Sequence, residues 1–508
     1  MRAFFILLFV IFSANTSFGQ ISPSDFQLEH GTYKVGFKHY QKTDATRTYT
    51  RVFEWTNTTI SRPIPISIWY PSTETTAQKT TILSYLEIFK NEREWEHLPN
   101  EQLLNWFPYP VNNTHNKAIL NHTTRAFVNN KIANGKFPII IYAPSYEASS
   151  IENFVLCEYL ASHGYIVISS PSRGADMKYF SGGTHKDMEA QARDIEFLLQ
   201  EALTFKNTDA SKIATMGFSF GGLSNVLAQI RNKNIKAIVS LDGSIRYNYK
   251  VLQESPFHDI KKVDTPFIHF AQKDIPETVL KADKIDPKLN DEFEFYDNLI
   301  HSDAYKLKFH DLTHANFSSF GVLFRPRDKR QDKSDQKILA SYKLVSNYTL
   351  HFLNAYLRNN QTSIQFLSNT PQQNGISSNL LSKESKKAIE KPFNFPDFND
   401  LAAKQEYQKL EDLHKKLIQK HPTLTLPEWK LNNLGLQLSF NPKTSSYGIL
   451  VFKFAIYLYP KSANLLDSLA EVYLFTGDIQ NAIVHFKKSL ALDPENQNAK
   501  NRLKALNK

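Results

Sequence analysis

The sequence predicts an α/β fold, with a mostly parallel central sheet flanked by helices and a small all-α domain at the C-terminal end. Three observations carry this. From Lys136 onward, short apolar runs alternate with stretches of helical periodicity, as in a parallel sheet with right-handed crossovers. One such junction, Gly217-Phe218-Ser219-Phe220-Gly221, joins the apolar run Ile213 to Met216 to a helix with apolar positions at Leu223, Val226, Leu227 and Ile230. Near the end, Tyr457-Leu458-Tyr459-Pro460 echoes Leu490-Ala491-Leu492-Asp493-Pro494, the two prolines lying 34 residues apart.

A chain of 508 residues has room for two or three domains and a large core. The net charge of +10 is spread along it. The densest basic patch, Arg325 to Arg330, contains Asp328 and no aromatics, so it reads as a solvated loop and no nucleic-acid partner is expected. Arg2, the apolar run Ala3 to Phe12 and a small-residue segment ending Ser17-Phe18-Gly19 read as a secretory signal peptide, residues 1–19. The expected location is therefore periplasmic or secreted. That run is too short to span a bilayer, and no later stretch predicts a membrane span. The one cysteine, Cys157, falls in a predicted helix as a small core residue.

In chain order, residues 20–359 form the first predicted domain. Val35 to Lys38, Arg51 to Trp55 and Ile64 to Pro71 are strand-like. Residues 72–135 are an insertion rich in aromatics, with Trp95, Trp106, Phe107 and Tyr109 and a helix from Ile82 to Trp95. It reads as a lid over a site or as a packed satellite, with nothing to choose between them. Phe137 to Ala143 is apolar throughout, as a strand buried on both faces requires. A helix over Asn153–His163, a strand over Tyr165–Ser170 and a helix over Asp187–Leu203 follow. Beyond the Ser219 junction come strands over Ala237–Leu241 and Pro266–Phe270, a last strand over Ala304–Phe309, and a closing helix over Lys337–Leu357. Residues 360–396, rich in Ser, Asn, Gln and Pro, read as a linker. Residues 397–508 read as helical: one helix from Asp397 to Lys420, then two tetratricopeptide-like hairpins. The first hairpin differs by one residue in spacing near Asn441-Pro442.

Gly-x-Ser-x-Gly between a strand and a helix is the nucleophile-elbow pattern of the α/β-hydrolase fold. A serine hydroxyl needs a histidine base, and the histidine needs an acid that fixes its tautomer. In this fold the chain order is serine, acid, histidine. His314, on the loop after the last predicted strand, fits the third place better than His301 or His310. Two acids sit at strand ends, Asp242 and Asp274, and topology alone leaves both open.

Phe137 to Tyr142, Leu160 to Val167, Gly217 to Gly222, Leu241-Asp242-Gly243 and Thr313 to Phe317 together resemble the plasma-type platelet-activating factor acetylhydrolases. They also resemble the broader dienelactone-hydrolase-like group of α/β-hydrolases, over residues 137 to 320. The resemblance implies an acid at the Leu-Asp strand end. That is Asp242, 23 residues after Ser219, which makes the implied triad Ser219, Asp242 and His314, with Asp274 as the alternative acid. The chain departs from the family where a His-Gly pair helps to form the oxyanion hole: here stand Ala143-Pro144-Ser145-Tyr146-Glu147. Pro144 has no N–H, so the expected donors are the Phe220 N–H and that of Ser145, with Tyr146 as the other choice.

The expected activity is hydrolysis of a carboxylic ester through an acyl-enzyme, on a small-molecule or carbohydrate-linked substrate, with no cofactor and no metal. Two alternatives stand beside it. One is a peptidase or amidase on the same triad; the other is a non-catalytic protein that binds a protein partner through its helical repeats.

Overall fold

The computed structural model describes residues 21–51, 59–107, 110–328, 332 and 334–506. The signal-peptide reading and most of the Arg51–Trp55 strand lie outside the described residues. The chain divides into two compact units, residues 1–389 and 390–508.

Among the described residues the first unit is built on one sheet of eleven strands in the order β11-β10-β9-β8-β7-β5-β6-β2-β1-β4-β3. Its centre is six parallel strands: β6 (Ile166–Ser169), β5 (Phe137–Ala143), β7 (Thr208–Phe218), β8 (Ile235–Leu241), β9 (Phe267–Ala271) and β10 (Ala304–Phe309). Alternation sends the side chains of β5 to opposite faces. Ile139, Ile141 and Ala143 join one core, with helices His185–Leu203 and Phe220–Arg231; Ile140 and Tyr142 join the other, with helices Phe154–Ser162 and Gln336–Arg358. Every residue of β5 is buried, which is why the strand reads as an unbroken apolar run. On one flank, β2 (Ile60–Ser72) pairs antiparallel with β6, and β1 (Lys34–Tyr49) antiparallel with β2.

The insertion packs as a satellite of the sheet. Its β4 (Thr123–Val128) pairs parallel with β1, and its β3 (Lys79–Thr81) antiparallel with β4. Ile82, Tyr85, Leu86 and Phe89 of the helix Ile82–Glu92 join the same core as Ile140 and Tyr142. Trp69 donates its indole N–H to Tyr85, which donates in turn to the buried carboxylate of Glu158, each at 2.8 Å.

At the other flank the linker reading is corrected. Residues 361 to 389 belong to the first unit. Gln361–Ser368 is a helix, and β11 (Leu381–Lys386) pairs antiparallel with β10 along its whole length, so β10 is not the last strand. Leu381 alone of β11 is fully buried. Charged and polar side chains on an edge strand are what protects it from pairing with another chain.

Among the described residues the second unit has seven helices: Phe395–Lys404, Leu410–Lys420, Glu428–Ser439, Ser445–Leu458, Ala463–Phe475, Ile479–Leu492 and Gln497–Leu506. The single helix expected over Asp397–Lys420 is two, because Glu406, Tyr407 and Lys409 take left-handed backbone angles (φ 53°, 58° and 50°). Helix starts at Ser445 and Ile479 are 34 residues apart, as are those at Ala463 and Gln497, whereas Glu428 and Ala463 are 35 apart. The odd residue falls in the turn between Ser439 and Ser445, which contains Asn441-Pro442. The repeat extends to the caps. Ser462 accepts from the Leu465 N–H and Asn496 from the Ala499 N–H, each at 3.1 Å and each three residues on.

Candidate active site

The C-terminal ends of the central parallel strands converge on Ser219. In α/β sheets this is the edge where ligands bind, because loops there can diverge without disturbing the ladder. Ser219 follows β7 with φ 52° and ψ −119°, a strained conformation for a residue with a side chain. Two glycines make the corner possible. A Cβ on Gly217 would lie 2.4 Å from the backbone of Gly221, and one on Gly221 would lie 2.0 Å from the Ala143 carbonyl oxygen. The Ser219 N–H donates to Leu241 O at 3.1 Å, which ties the corner to the end of β8.

Three sequence-predicted residues meet here. Ser219 Oγ lies 2.9 Å from His314 Nε2, and His314 Nδ1 lies 2.6 Å from Asp242 Oδ2. With Nδ1–H donating to Asp242, Nε2 is left to accept the serine proton. His314 opens a short helical turn, His314–Phe317, after β10; its own N–H donates to Gln272 Oε1 at 3.0 Å. The Phe218 ring packs against the imidazole with centroids 4.9 Å apart.

Asp242 is fully buried. Its second oxygen accepts from the Gln272 N–H at 3.2 Å and the Tyr247 hydroxyl at 3.1 Å. Burial works to raise its carboxyl. The hydrogen bond and charge of His314, with His269 and Arg246 beyond, outweigh that and hold it below the ordinary carboxylate value. Asp274, the other candidate acid, is exposed and paired with Lys308. His301 and His310 lie outside the chain of bonds: His301 Nδ1 is bonded to Ile389 O at 2.9 Å, and the His310 N–H donates to Leu380 O at 3.0 Å.

The loop after β5 departs from expectation. The Ser145 N–H donates to Glu152 Oε2 at 2.9 Å and the Ser145 hydroxyl to Glu152 Oε1 at 2.5 Å. The Ser145 amide is therefore turned into the protein and corrected as an oxyanion donor. No hydrogen bond from the Tyr146 amide is found among the described residues. The Phe220 N–H sits at the first position of its helix, where no intrahelical acceptor exists. The Tyr146, Phe180 and Phe220 rings cluster, with centroids 4.5 Å (Tyr146–Phe180) and 4.8 Å (Phe180–Phe220) apart.

Glu152 is the residue that sequence reasoning missed. It is fully buried, accepts from Tyr142 at 3.3 Å as well as from Ser145, and feels the field of His314. Desolvation raises its carboxyl to about 7 against those hydrogen bonds. The insertion braces the same loop from outside. Glu92 accepts from the Ser150 N–H at 3.0 Å and from both the Ser149 and Ser150 hydroxyls. Arg93 donates to Glu147 O at 3.0 Å, and the Glu147 carboxylate accepts from the Phe180 N–H at 2.8 Å. Glu147 thus braces this loop through both its carbonyl and its carboxylate. Among the described residues no cluster of His, Cys, Asp and Glu is placed to hold a metal.

Residues 125–306 match the family model described as the Dienelactone hydrolase family. The match contains Ser219 and Asp242 and ends before His314. No curated protein matches the chain. Among solved structures the chain is similar to a ferulic acid esterase from Streptomyces cinnamoneus, at 18% identity and a TM-score of 0.47, over 65% of this chain and 91% of that one.

Proposed function

We propose that the chain is a serine hydrolase of carboxylic esters, working through Ser219, His314 and Asp242. The observation that carries this reading is the unbroken run of hydrogen bonds from Ser219 Oγ through His314 to the buried Asp242. The family match over residues 125–306 supports a hydrolase acting on esters.

In the proposed mechanism His314 Nε2 takes the proton as Ser219 Oγ attacks the ester carbonyl. Asp242 holds the imidazole in the required tautomer and stabilises its cation. The oxyanion forms at the start of the helix Phe220–Arg231, where the N–H groups of Phe220 and Tyr146 are the donors without acceptors of their own. The tetrahedral intermediate then collapses. The carbonyl re-forms, the bond between the acyl carbon and the alcohol oxygen breaks, that oxygen takes the proton from Nε2, and the acyl group stays on Ser219. Water, deprotonated by His314, repeats the sequence and releases the acid.

Ser219→Ala is expected to remove turnover of a p-nitrophenyl ester by about 10⁴-fold or more, and Asp242→Asn to lower kcat strongly, while Asp274→Asn leaves it within about twofold. Stoichiometric labelling of the native protein by a fluorophosphonate, lost in Ser219→Ala, checks the nucleophile independently. A silent protein, or one whose activity survives Ser219→Ala, would refute the reading.

The chain is also proposed to be exported, on the basic Arg2, the apolar run that follows it and the small residues before Gln20. A mature N-terminus at Gln20 in secreted or periplasmic material is the expected result.

A further inference from the structure

Beside the Ser219–His314 pair lies a cavity of about 560 Å³, with His314 in its wall. Its lining mixes polar side chains, Ser244 and Asn248 after β8 and Gln272 after β9, with the aliphatic Ile275, Val279 and Leu289 between β9 and β10. Neither Phe220 nor Tyr146 contributes to its lining.

The chemistry assigns this cavity a side of the substrate. The carbonyl oxygen must face the oxyanion donors, so the acyl carbon is held toward Phe220 and Tyr146. The departing oxygen must lie within hydrogen-bond reach of His314 Nε2, because that atom gives it a proton. A cavity walled by His314 and not by the oxyanion donors therefore takes the alcohol half of the ester.

The polar part of its lining has unused hydrogen-bonding capacity. Ser244 is 9% exposed, and its hydroxyl makes no hydrogen bond among the described residues, although its N–H is bonded to Ser219 O. The Asn248 side-chain amide makes none there either and is exposed, so water or a ligand can take it. Gln272 Nε2 gives one proton to the Tyr247 hydroxyl at 3.1 Å and retains a second. Polar groups in a partly desolvated wall need partners, and a ligand that lacks them binds poorly. The charged residues at the rim, Asp283, Lys284 and Asp286, are of both signs and select neither a cationic nor an anionic head. A lining that mixes amides and a hydroxyl with aliphatic side chains is complementary to a ring that carries both hydroxyls and C–H groups.

We propose that this cavity binds the leaving alcohol of the substrate and that the alcohol is a sugar, an inference that rests on the serine-esterase reading above. In the step concerned the bond between the acyl carbon and the sugar oxygen breaks, that oxygen takes the His314 proton, and the free sugar hydroxyl departs from the cavity while the acyl group remains on Ser219.

The test holds the acyl group constant, using the one best accepted from a p-nitrophenyl series, and varies the alcohol. The mono-ester of a methyl pyranoside is expected to exceed the cyclohexyl ester, a ring without hydroxyls, by about tenfold or more in kcat/KM. Ser244→Ala and Asn248→Ala are each expected to shrink that ratio severalfold, chiefly through KM on the sugar ester. A cyclohexyl or choline ester cleaved as well as the pyranoside ester overturns the proposal. The p-nitrophenyl ester separates the two readings, since its phenolate leaves without a proton. Turnover of that ester by the native protein with no sugar preference sinks the sugar inference alone, whereas no turnover and no fluorophosphonate labelling sink both.

Discussion

Ser145 and Glu152 lie seven residues apart and meet because the chain turns back between β5 and the helix Phe154–Ser162. The buried carboxylate takes the Ser145 amide, whereas the Tyr146 amide makes no hydrogen bond among the described residues. Nothing in the string Ala143-Pro144-Ser145-Tyr146-Glu147 announces this, because a carboxylate that accepts one backbone N–H has no sequence signature. The positions of Ser219, Asp242 and His314 were legible for the opposite reason: Ser219 and Asp242 directly follow recognisable strands, His314 lies on the loop after another, and the elbow needs glycines at fixed offsets. Of Asp242 and Asp274, which the sequence left open, Asp242 is the one bonded to His314, whereas Asp274 is exposed and paired with Lys308. The burial of Glu152 also makes a prediction. Its carboxyl stands at about 7 in the folded protein against 4.5 ordinarily. The folded state therefore keeps a proton that the unfolded chain releases above pH 4.5, so stability falls as pH rises from 4.5 to about 7 and is level beyond. The size is about 3 kcal/mol, at about 1.36 kcal/mol per unit. Glu152→Gln lacks this titration. Its stability relative to the native protein, from urea unfolding, should improve by about that amount between pH 4.5 and 7.5. A difference that does not change with pH would show that Glu152 is not held protonated by burial.

The elements divide according to how much of their pattern is local. β5 declared itself through an apolar run buried on both faces, and the helix Gln336–Arg358 through its periodicity, agreeing within a residue with the span expected over Lys337–Leu357. β11 did not, because Leu381-Ser-Lys-Glu-Ser-Lys386 has one buried residue and is a strand only by virtue of the partner it lies against. The composition of residues 360–396 therefore suggested a linker where the sheet has an edge. That edge has a consequence. A chain ended after Asn359 would expose the hydrogen-bonding groups of β10, including Ala304 to Phe309, and remove the Lys387 partner of Asp303. A chain ended after Ile389 would retain both. The shorter form is expected to be oligomeric or insoluble and the longer form monodisperse, by size-exclusion chromatography at matched concentration. Equal behaviour of the two would mean that β11 is dispensable to the sheet.

At the scale of the whole chain, the two units have separate cores. The apolar clusters of the first lie on the two faces of its sheet and end at Leu381, whereas that of the second begins at Phe398. The second core takes at least one buried residue from each helix described there, among them Phe398, Leu417, Leu431, Phe452, Leu469, Phe486 and Ala499. A single helical hairpin cannot bury its apolar face, so a repeat unit needs neighbours on both sides to be stable. Here the two hairpins, Glu428–Leu458 and Ala463–Leu492, have them. The helices Phe395–Lys404 and Leu410–Lys420 cover one end and Gln497–Leu506 the other. The period was readable from two prolines, while the closing helices were harder to see because caps carry no repeat of their own. A stack closed at both ends should fold without the rest of the chain. Residues 390–508 alone are expected to be helical by circular dichroism and to unfold in one cooperative transition. Residues 21–389 should keep p-nitrophenyl ester turnover within about twofold of the full chain, since every residue proposed for the chemistry lies there. A non-cooperative melt of the C-terminal piece would mean that its core is completed by the first unit. Loss of turnover in the N-terminal piece would mean that the helical unit takes part in the reaction rather than in an interaction separate from it.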